Sequence, residues 1–369
     1  MLSLGFILWL IPLVLIWVRY DNMPHASNVL FAILLLPFVM LDEILRFSGL
    51  LPEFPFLIGV FQFIPVLLAA QVYLAMHNML IEKPVHNKWV HKAIATFFFV
   101  AQVPFLLFSD EAKVALFSNP PMGAIADNWP FYVYYMFINF AILIYALKID
   151  DMVKEYDFHL SDQVVDITQY ELPETMKLFS GLVSISFGAI LLVIVTALNL
   201  IQFSYWQGII SLLHFGIFYV IILLLLQRRR YSPCPIDAED LSDRTYSEEE
   251  MRLTLAKAER AIIRNKLYKA LGLRLRTLAD LAEIEPKDLA VATRSILNRN
   301  FRAYMYHYRL EYAKKIILRS DIKISAIAKR LGFTSEKVLS EMFVKYVQNM
   351  ASDDALSQEE HDRLMHRKN

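Results

Sequence analysis

The chain has 369 residues, 56% of them hydrophobic and 20% charged, with 37 Lys and Arg against 37 Asp and Glu and a mean hydropathy of +0.40. Ordinary soluble domains run at roughly 45 to 50% apolar and about 25% charged, which argues against a purely soluble protein. The single cysteine, Cys234, excludes a disulfide framework and a cysteine zinc site, since both need more thiols. The zero net charge hides two unlike halves. Residues 1–227 hold 9 basic and 16 acidic side chains, residues 228–369 hold 28 and 21, and between 251 and 346 the tally is 21 against 9.

A bilayer core takes about 20 mostly apolar residues per helix, and seven runs come near that length: Leu2 to Val18, Asn28 to Leu45, Phe56 to Leu80, Trp89 to Phe108, Pro130 to Leu147, Leu178 to Ile201 and Phe203 to Leu226. The first reads as an anchor that stays, because no basic residue precedes it and Arg19 follows it. With the N-terminus outside, ten flanking Lys and Arg fall on the inner side (Arg19, Lys83, Lys88, Lys92, Lys148, Lys154, Lys177 and Arg228 to Arg230) against two outside, Arg46 and Lys113. The excess of basic residues on the cytoplasmic side favours that orientation, with residues 1–227 as a multi-pass membrane domain and the C-terminal half in the cytoplasm.

Polar residues in these runs are costly in hydrocarbon and often mark function. Asp42, Glu43, Gln62, Gln102, Asn199 and Gln207 fall in the outer half by this topology, with Asn139 and His214 near the middle. Taken singly, each reads more plainly as a hydrogen-bonding group between helices; together they form a candidate ligand pocket. The last run has no lysine for a retinal Schiff base, and no pair of interrupted helices at matching places argues for a transporter. Residues 148–177 carry Asp150, Asp151, Glu155, Asp157, Asp162, Asp166, Glu171 and Glu174. They read as a solvated cytoplasmic loop, with docking onto the basic half as the alternative.

Residues 228–250 read as a juxtamembrane linker with two prolines and several Asp, Glu and Ser. Ser247 followed by Glu250 is a capping box opening a helix with Leu255, Ala258, Ile262 and Leu267 on its apolar positions. No sustained heptad supports a zipper there. Two later stretches repeat one plan, Leu275 to Leu297 and Ile324 to Tyr346. In each, a short amphipathic helix (Leu275 to Ala282; Ser325 to Arg330) meets a turn and then a second helix, whose start is marked by Pro286 in one and capped by Ser335 in the other. Ala279 and Ala328 provide small residues where helices cross, and Gly332 a tight turn. Phe301 to Arg319 fits a connecting helix of about 28 Å, which would let two recognition helices enter successive major grooves roughly 34 Å apart.

The region from about Leu275 to Val347 resembles the DNA-binding domain of the AraC/XylS family of bacterial transcription regulators. The run Arg309 to Phe333 (RLEYAKKIILRSDIKISAIAKRLGF), with Ser340, Phe343 and Lys345, carries the resemblance. It implies recognition helices at Lys287 to Leu297 and Glu336 to Tyr346. Their DNA faces would be drawn from Lys287, Asp288, Val291, Arg294 and Ser295, and from Glu336, Lys337, Ser340, Glu341 and Lys345. Lys314, Lys315, Lys323, Lys329 and Arg330 fit the electrostatic footprint of phosphate contacts. Asn298 stands where the family usually has Gly, Glu341 where it usually has a basic residue, and Gln348 and Ala351 where Gly and Pro usually close the domain. With its apolar half, the chain resembles the membrane-embedded members of that family.

The expected fold is therefore all-α: a bundle of about seven transmembrane helices over 1–227, a tandem helix-turn-helix domain over 251–350, and a polar tail over 351–369. The expected function is a membrane-bound one-component transcription regulator, not an enzyme, and no cofactor is implied. His86 and His91 are too few for a metal site. The partners are double-stranded DNA, the lipid bilayer, a small-molecule or membrane signal, and a second copy of the chain. The alternative is a membrane transporter or receptor whose basic domain binds a protein.

Overall fold

The computed structural model describes residues 2–227 and 246–346, apart from Pro24, 82–84, His86, 320–321 and Thr334. The expected linker with Arg228 to Arg230 and Cys234, the tail, Gln348, Ala351, Lys83 and His86 lie outside the described residues. Among the described residues the regular elements are helices, and the extended pairing present is one isolated antiparallel bridge, Val164 with Arg274. The chain divides into two compact units. One comprises Met1–Asp157 and the chain from Leu172 through the last apolar helix, and the other Phe158–Glu171 with the C-terminal region.

The apolar unit contains α1 (Leu2–Arg19), α2 (Ala26–Leu35), α3 (Leu41–Ser48), α4 (Ile64–Leu80), α5 (Lys88–Leu106), α6 (Asp110–Ser118), α7 (Ile125–His159), α8 (Pro173–Ala197) and α9 (Trp206–Gln227). Among the described residues, five helical segments are long and apolar enough to cross a membrane: Ala26–Ser48, Lys88–Leu106, Ile125–Asp162, Pro173–Ala197 and Trp206–Leu226. Shorter apolar helices, Trp9–Arg19 and Ile64–Leu80, stand in the places of the first and third expected spans. The third is short because residues 58–63 turn before Pro65 starts α4. The second is broken at Leu36–Met40 into a 3-10 turn, where Pro37 lacks the N–H and crowds the carbonyl that a continuous helix would use.

Lys113 lies on α6, between the fourth and fifth expected spans; the first turn of α6 is capped by Ser109 Oγ accepting the Ala112 N–H at 3.3 Å, and the Lys113 ammonium is 3.8 Å from Asp110. One sequence expectation needs correction, the acidic loop: 148–177 is not a single loop. Helix α7 runs 35 residues to His159, which carries Asp150, Asp151, Glu155 and Asp157 on a helix, with Lys154 bridging Asp150 at 2.6 Å one turn away.

The basic unit contains α10 (Glu248–Asn265), α11 (Leu275–Ala282), α12 (Pro286–Leu297), α13 (Phe301–Arg319), α14 (Ile324–Arg330) and α15 (336–346). Both halves of the capping box form at α10: Ser247 Oγ accepts the Glu250 N–H at 3.2 Å, and Glu250 Oε2 accepts the Ser247 N–H at 3.1 Å. Those bonds favour the charged carboxylate and lower the pKa of Glu250. The core gathers Ile262, Leu278, Leu289, Phe301, Met305, Ile327 and Leu339. Ala279 and Ala328 are buried at the helix crossings. Val165, from the segment between α7 and α8, is fully buried in the same core.

Candidate nucleic-acid interface and a polar cavity

Helix α11 starts where the chain brings in an outside acceptor: the Leu275 N–H donates to the Gln163 carbonyl at 2.8 Å, and the Val165 N–H donates to the Leu273 carbonyl at 3.1 Å. The first turn passes through Glu283 at φ +54°, and Pro286 opens α12 with its φ fixed and no N–H to waste. Helix α12 buries Leu289, Ala290, Ala292 and Thr293 and leaves Lys287, Arg294 and Ser295 exposed, with Val291 half-buried beside them. Positions 287, 291, 294 and 295 fall on one stripe of a 3.6-residue helix. Asp288 is half-buried at its edge. Asn298 closes α12 at φ +49°, a conformation that Asn enters more readily than most residues.

In the second unit, Gly332 makes the turn at φ +76°. A Cβ there would lie 2.7 Å from Leu271 Cδ2 and 3.1 Å from Asp166 Oδ1, so the backbone conformation favours glycine and the exposed Leu271 side chain would have to move aside for any other residue. Ser335 Oγ accepts the Val338 N–H at 3.2 Å at the start of α15. Glu336, Lys337, Ser340, Glu341 and Lys345 are all exposed on α15, around the buried Leu339. Lys337 and Glu341 stand 3.9 Å apart on the same face, so part of the positive charge is already matched by a carboxylate. Lys315, Lys323, Lys329 and Arg330 are exposed and Lys314 is half-buried.

The acidic segment touches this interface in ways the sequence did not single out. The Asp166 carboxylate takes both ends of the Arg309 guanidinium, Nη1 at 2.7 Å and Nη2 at 3.1 Å, and Arg309 is completely buried. Arg309 Nη2 also donates to the Ala270 carbonyl at 2.8 Å. Arg274 Nε donates to Tyr170 Oη at 3.1 Å, with the guanidinium over the Tyr170 ring. Arg294 of α12 pairs with Asp162, Nε donating to Oδ1 at 3.3 Å and Nη2 to Oδ2. The available signal was charge: an acidic segment and a basic domain in one chain.

In the apolar unit, five of the eight expected pocket residues line one small cavity of about 40 Å³: Asp42, Glu43, Gln62, Asn139 and His214. Tyr135 and Ser211 join them, one helical turn before Asn139 and His214 respectively, a spacing that could have found them. Asp42 Oδ1 accepts the Gly59 N–H at 2.9 Å, Glu43 pairs with Arg46 at 2.5 Å, and Gln62 Nε2 donates to Tyr135 Oη at 3.0 Å. Asn139 Nδ2 donates to the Tyr135 carbonyl at 2.8 Å. Asn139 Oδ1 and His214 Nε2 are buried with no hydrogen-bond partner among the described residues. The cavity has room for a few waters.

Gln102, Asn199 and Gln207 do not line this cavity. Gln102 Nε2 donates to the Val60 carbonyl at 2.7 Å and its Oε1 accepts from Tyr134 at 3.0 Å, an interhelical role. Asn199 is exposed at φ +56° in the turn after α8. Gln207 is buried, with neither amide atom hydrogen-bonded among the described residues. His91 Nδ1 is 2.9 Å from Tyr145 Oη.

Residues 278–353, about a fifth of the chain, match the family described as a helix-turn-helix domain. The C-terminal region is thus a helix-turn-helix domain of AraC type, the DNA-binding part of a class of transcription regulators. No curated protein and no solved structure matches the chain.

Proposed function

We propose that the protein is a membrane-bound one-component transcription regulator: the AraC-type unit binds a specific promoter on the cytoplasmic side, under control of a signal received by the apolar unit. The observation that carries this reading is a helix-turn-helix domain on the same chain as five long apolar helices. Lys287, Val291, Arg294 and Ser295 of α12 and Lys337, Ser340 and Lys345 of α15 read bases, while Lys314, Lys315, Lys323, Lys329 and Arg330 hold phosphates. The cavity around Asp42, Asn139 and His214 is the place where a signal acts, since a ligand that satisfies the unpartnered Asn139 and His214 atoms favours whichever bundle state presents them. The N-terminus is outside and a second copy of the chain joins on a paired DNA site.

Mapping of bound DNA across the genome, followed by footprinting with the full-length chain in lipid nanodiscs, tests the reading. Binding that falls steeply with salt yet prefers a few promoters supports it. Equal binding to every sequence, or none, overturns it and favours a protein partner. A fragment starting after the last apolar helix is the wrong reagent, because it lacks the Asp166 counter-ion of the buried Arg309. For the topology, a cysteine at the exposed position Glu111, in a chain with Cys234 replaced, should label from outside; labelling from the cytoplasm alone overturns the orientation.

A further inference from the structure

Segment Phe158–Glu171 joins two apolar helices, yet it packs as part of the basic unit. Its two paired aspartates are both buried and differ in their partners. Asp166 is 6% exposed and meets a fully buried arginine, so that pair cannot part without stranding a charge in the core. Asp162 is also buried, with 11% of its side chain exposed, and His159 Nδ1 stands 3.7 Å from its carboxylate, but the pair opens to solvent at its other end. Its partner Arg294 keeps 41% of its side chain exposed, beside an open notch of about 400 Å³ that Asn298 and Arg299 also line. A pair whose cation is half in water is held less firmly than one buried at both ends, and its arginine can turn to another anion without being stranded in the core.

Arg294 belongs to the stripe of α12 that faces DNA, where a guanidinium is the group best suited to phosphate or guanine. A carboxylate seated on it occupies the fork that a DNA oxygen would take and adds a negative charge at the interface. We propose that Asp162 is a built-in competitor for DNA, and that its withdrawal from Arg294 is the step by which the apolar helices control binding; this rests on the reading that the unit binds DNA through α12.

Chain geometry supplies the lever. Asp162 follows His159, the last residue of α7, by three residues and precedes the anchored Asp166 by four. One residue of extended chain spans about 3.5 Å, so drawing the end of α7 back by one residue parts the Asp162–Arg294 pair while the Asp166–Arg309 pair holds. On the other side α8 begins at Pro173, two residues after the segment ends. The segment is thus tied covalently to two apolar helices and by a buried ion pair to the DNA-binding core.

The test uses full-length protein in nanodiscs and a short random-sequence DNA duplex, titrated across a salt series. Asp162→Asn is expected to bind about fivefold more tightly than the parent, with a log–log salt slope steeper by about one. Arg294→Ala should erase the difference, the double variant binding like Arg294→Ala alone. Asp162→Ser is measured beside it, and both should melt with the parent because Asp166 is untouched. Unchanged affinity and slope in both Asp162 variants, while the parent binds duplex, overturns the competitor and leaves the DNA reading standing; so does early melting of both, which makes the Asp162–Arg294 pair structural. If no protein in the series binds duplex at any salt, the DNA reading fails and the competitor with it.

Discussion

The two helix-turn-helix units share one plan and are held by different means. The first leans on a distant segment: the Leu275 N–H is satisfied by Gln163, Arg274 by Tyr170 and Arg294 by Asp162. The second takes no hydrogen bond from that segment among the described residues: Ser335 caps its last helix, and Gly332 makes its turn beside the Asp166 carboxylate. A repeat in sequence therefore need not be a repeat in control. Whatever moves the segment acts on the first unit through hydrogen bonds, and on the second through the buried Asp166–Arg309 pair beside Gly332.

The largest way to break that asymmetry is at its anchor. Asp166→Ala leaves Arg309 buried without a counter-charge, and removing one partner of such a pair costs about 3 to 5 kcal/mol. The Gly272 N–H also loses its acceptor. Unfolding of the full chain, followed by denaturant titration of a fluorophore in the basic unit, should show that loss there with the apolar helices intact by circular dichroism. A loss below about 1 kcal/mol would mean that Arg309 is solvated in solution and that the segment is not an anchor.

Much of the basic unit was legible in sequence because its signals are local. The Ser247–Glu250 box, Pro286, Ser335 and the small residues Ala279 and Ala328 each act within a turn or a helix crossing, and each sits where expected. Asn298 in a left-handed conformation is also a local fact. The partners of Arg294 and Arg309 were not legible, since they lie 132 and 143 residues away, and spacing carries no information over such distances. In the apolar unit, hydropathy found the stretches but not the break at Leu36–Met40 or the irregular chain before α4. Polarity found candidates for a cavity without telling lining residues such as His214 from interhelical ones such as Gln102.

Next in size is the turn of the second unit. Gly332→Ala forces a Cβ onto a left-handed backbone, at roughly 1 to 2 kcal/mol, and against Leu271 and Asp166. Asn298→Ala, the matching change after α12 at φ +49°, replaces one side chain bearing a Cβ with another and loses only the readiness of Asn for this region, so less than about 1 kcal/mol is expected. Chemical denaturation of the two variants compares the units directly. A larger cost at Asn298 than at Gly332 would reverse the order that the packing implies. Ser335→Ala should cost about 1 kcal/mol and raise amide hydrogen exchange in α15 while α12 stays protected; equal deprotection of both helices would show that the units open as one.

The smallest effect is a pH dependence lodged in the second unit. His307 on α13 packs against the Tyr346 ring of α15, with centroids 5.6 Å apart. Burial first, and then the Arg299 charge, hold its pKa below the ordinary 6.5, while Glu311 and Glu259 pull the other way. The folded chain then binds the proton less readily than the unfolded chain, so stability is fully present above about pH 6.5 and declines as pH falls below it. The decline should be a fraction of a kcal/mol, because the ring is only half-buried. His307→Phe keeps the ring contact and removes the titration, so its stability should be flat over the window in which the parent's falls. Parallel pH profiles for the two proteins would move the titrating group elsewhere, and the contact between α13 and α15 would then contribute nothing to any acid response of the second unit.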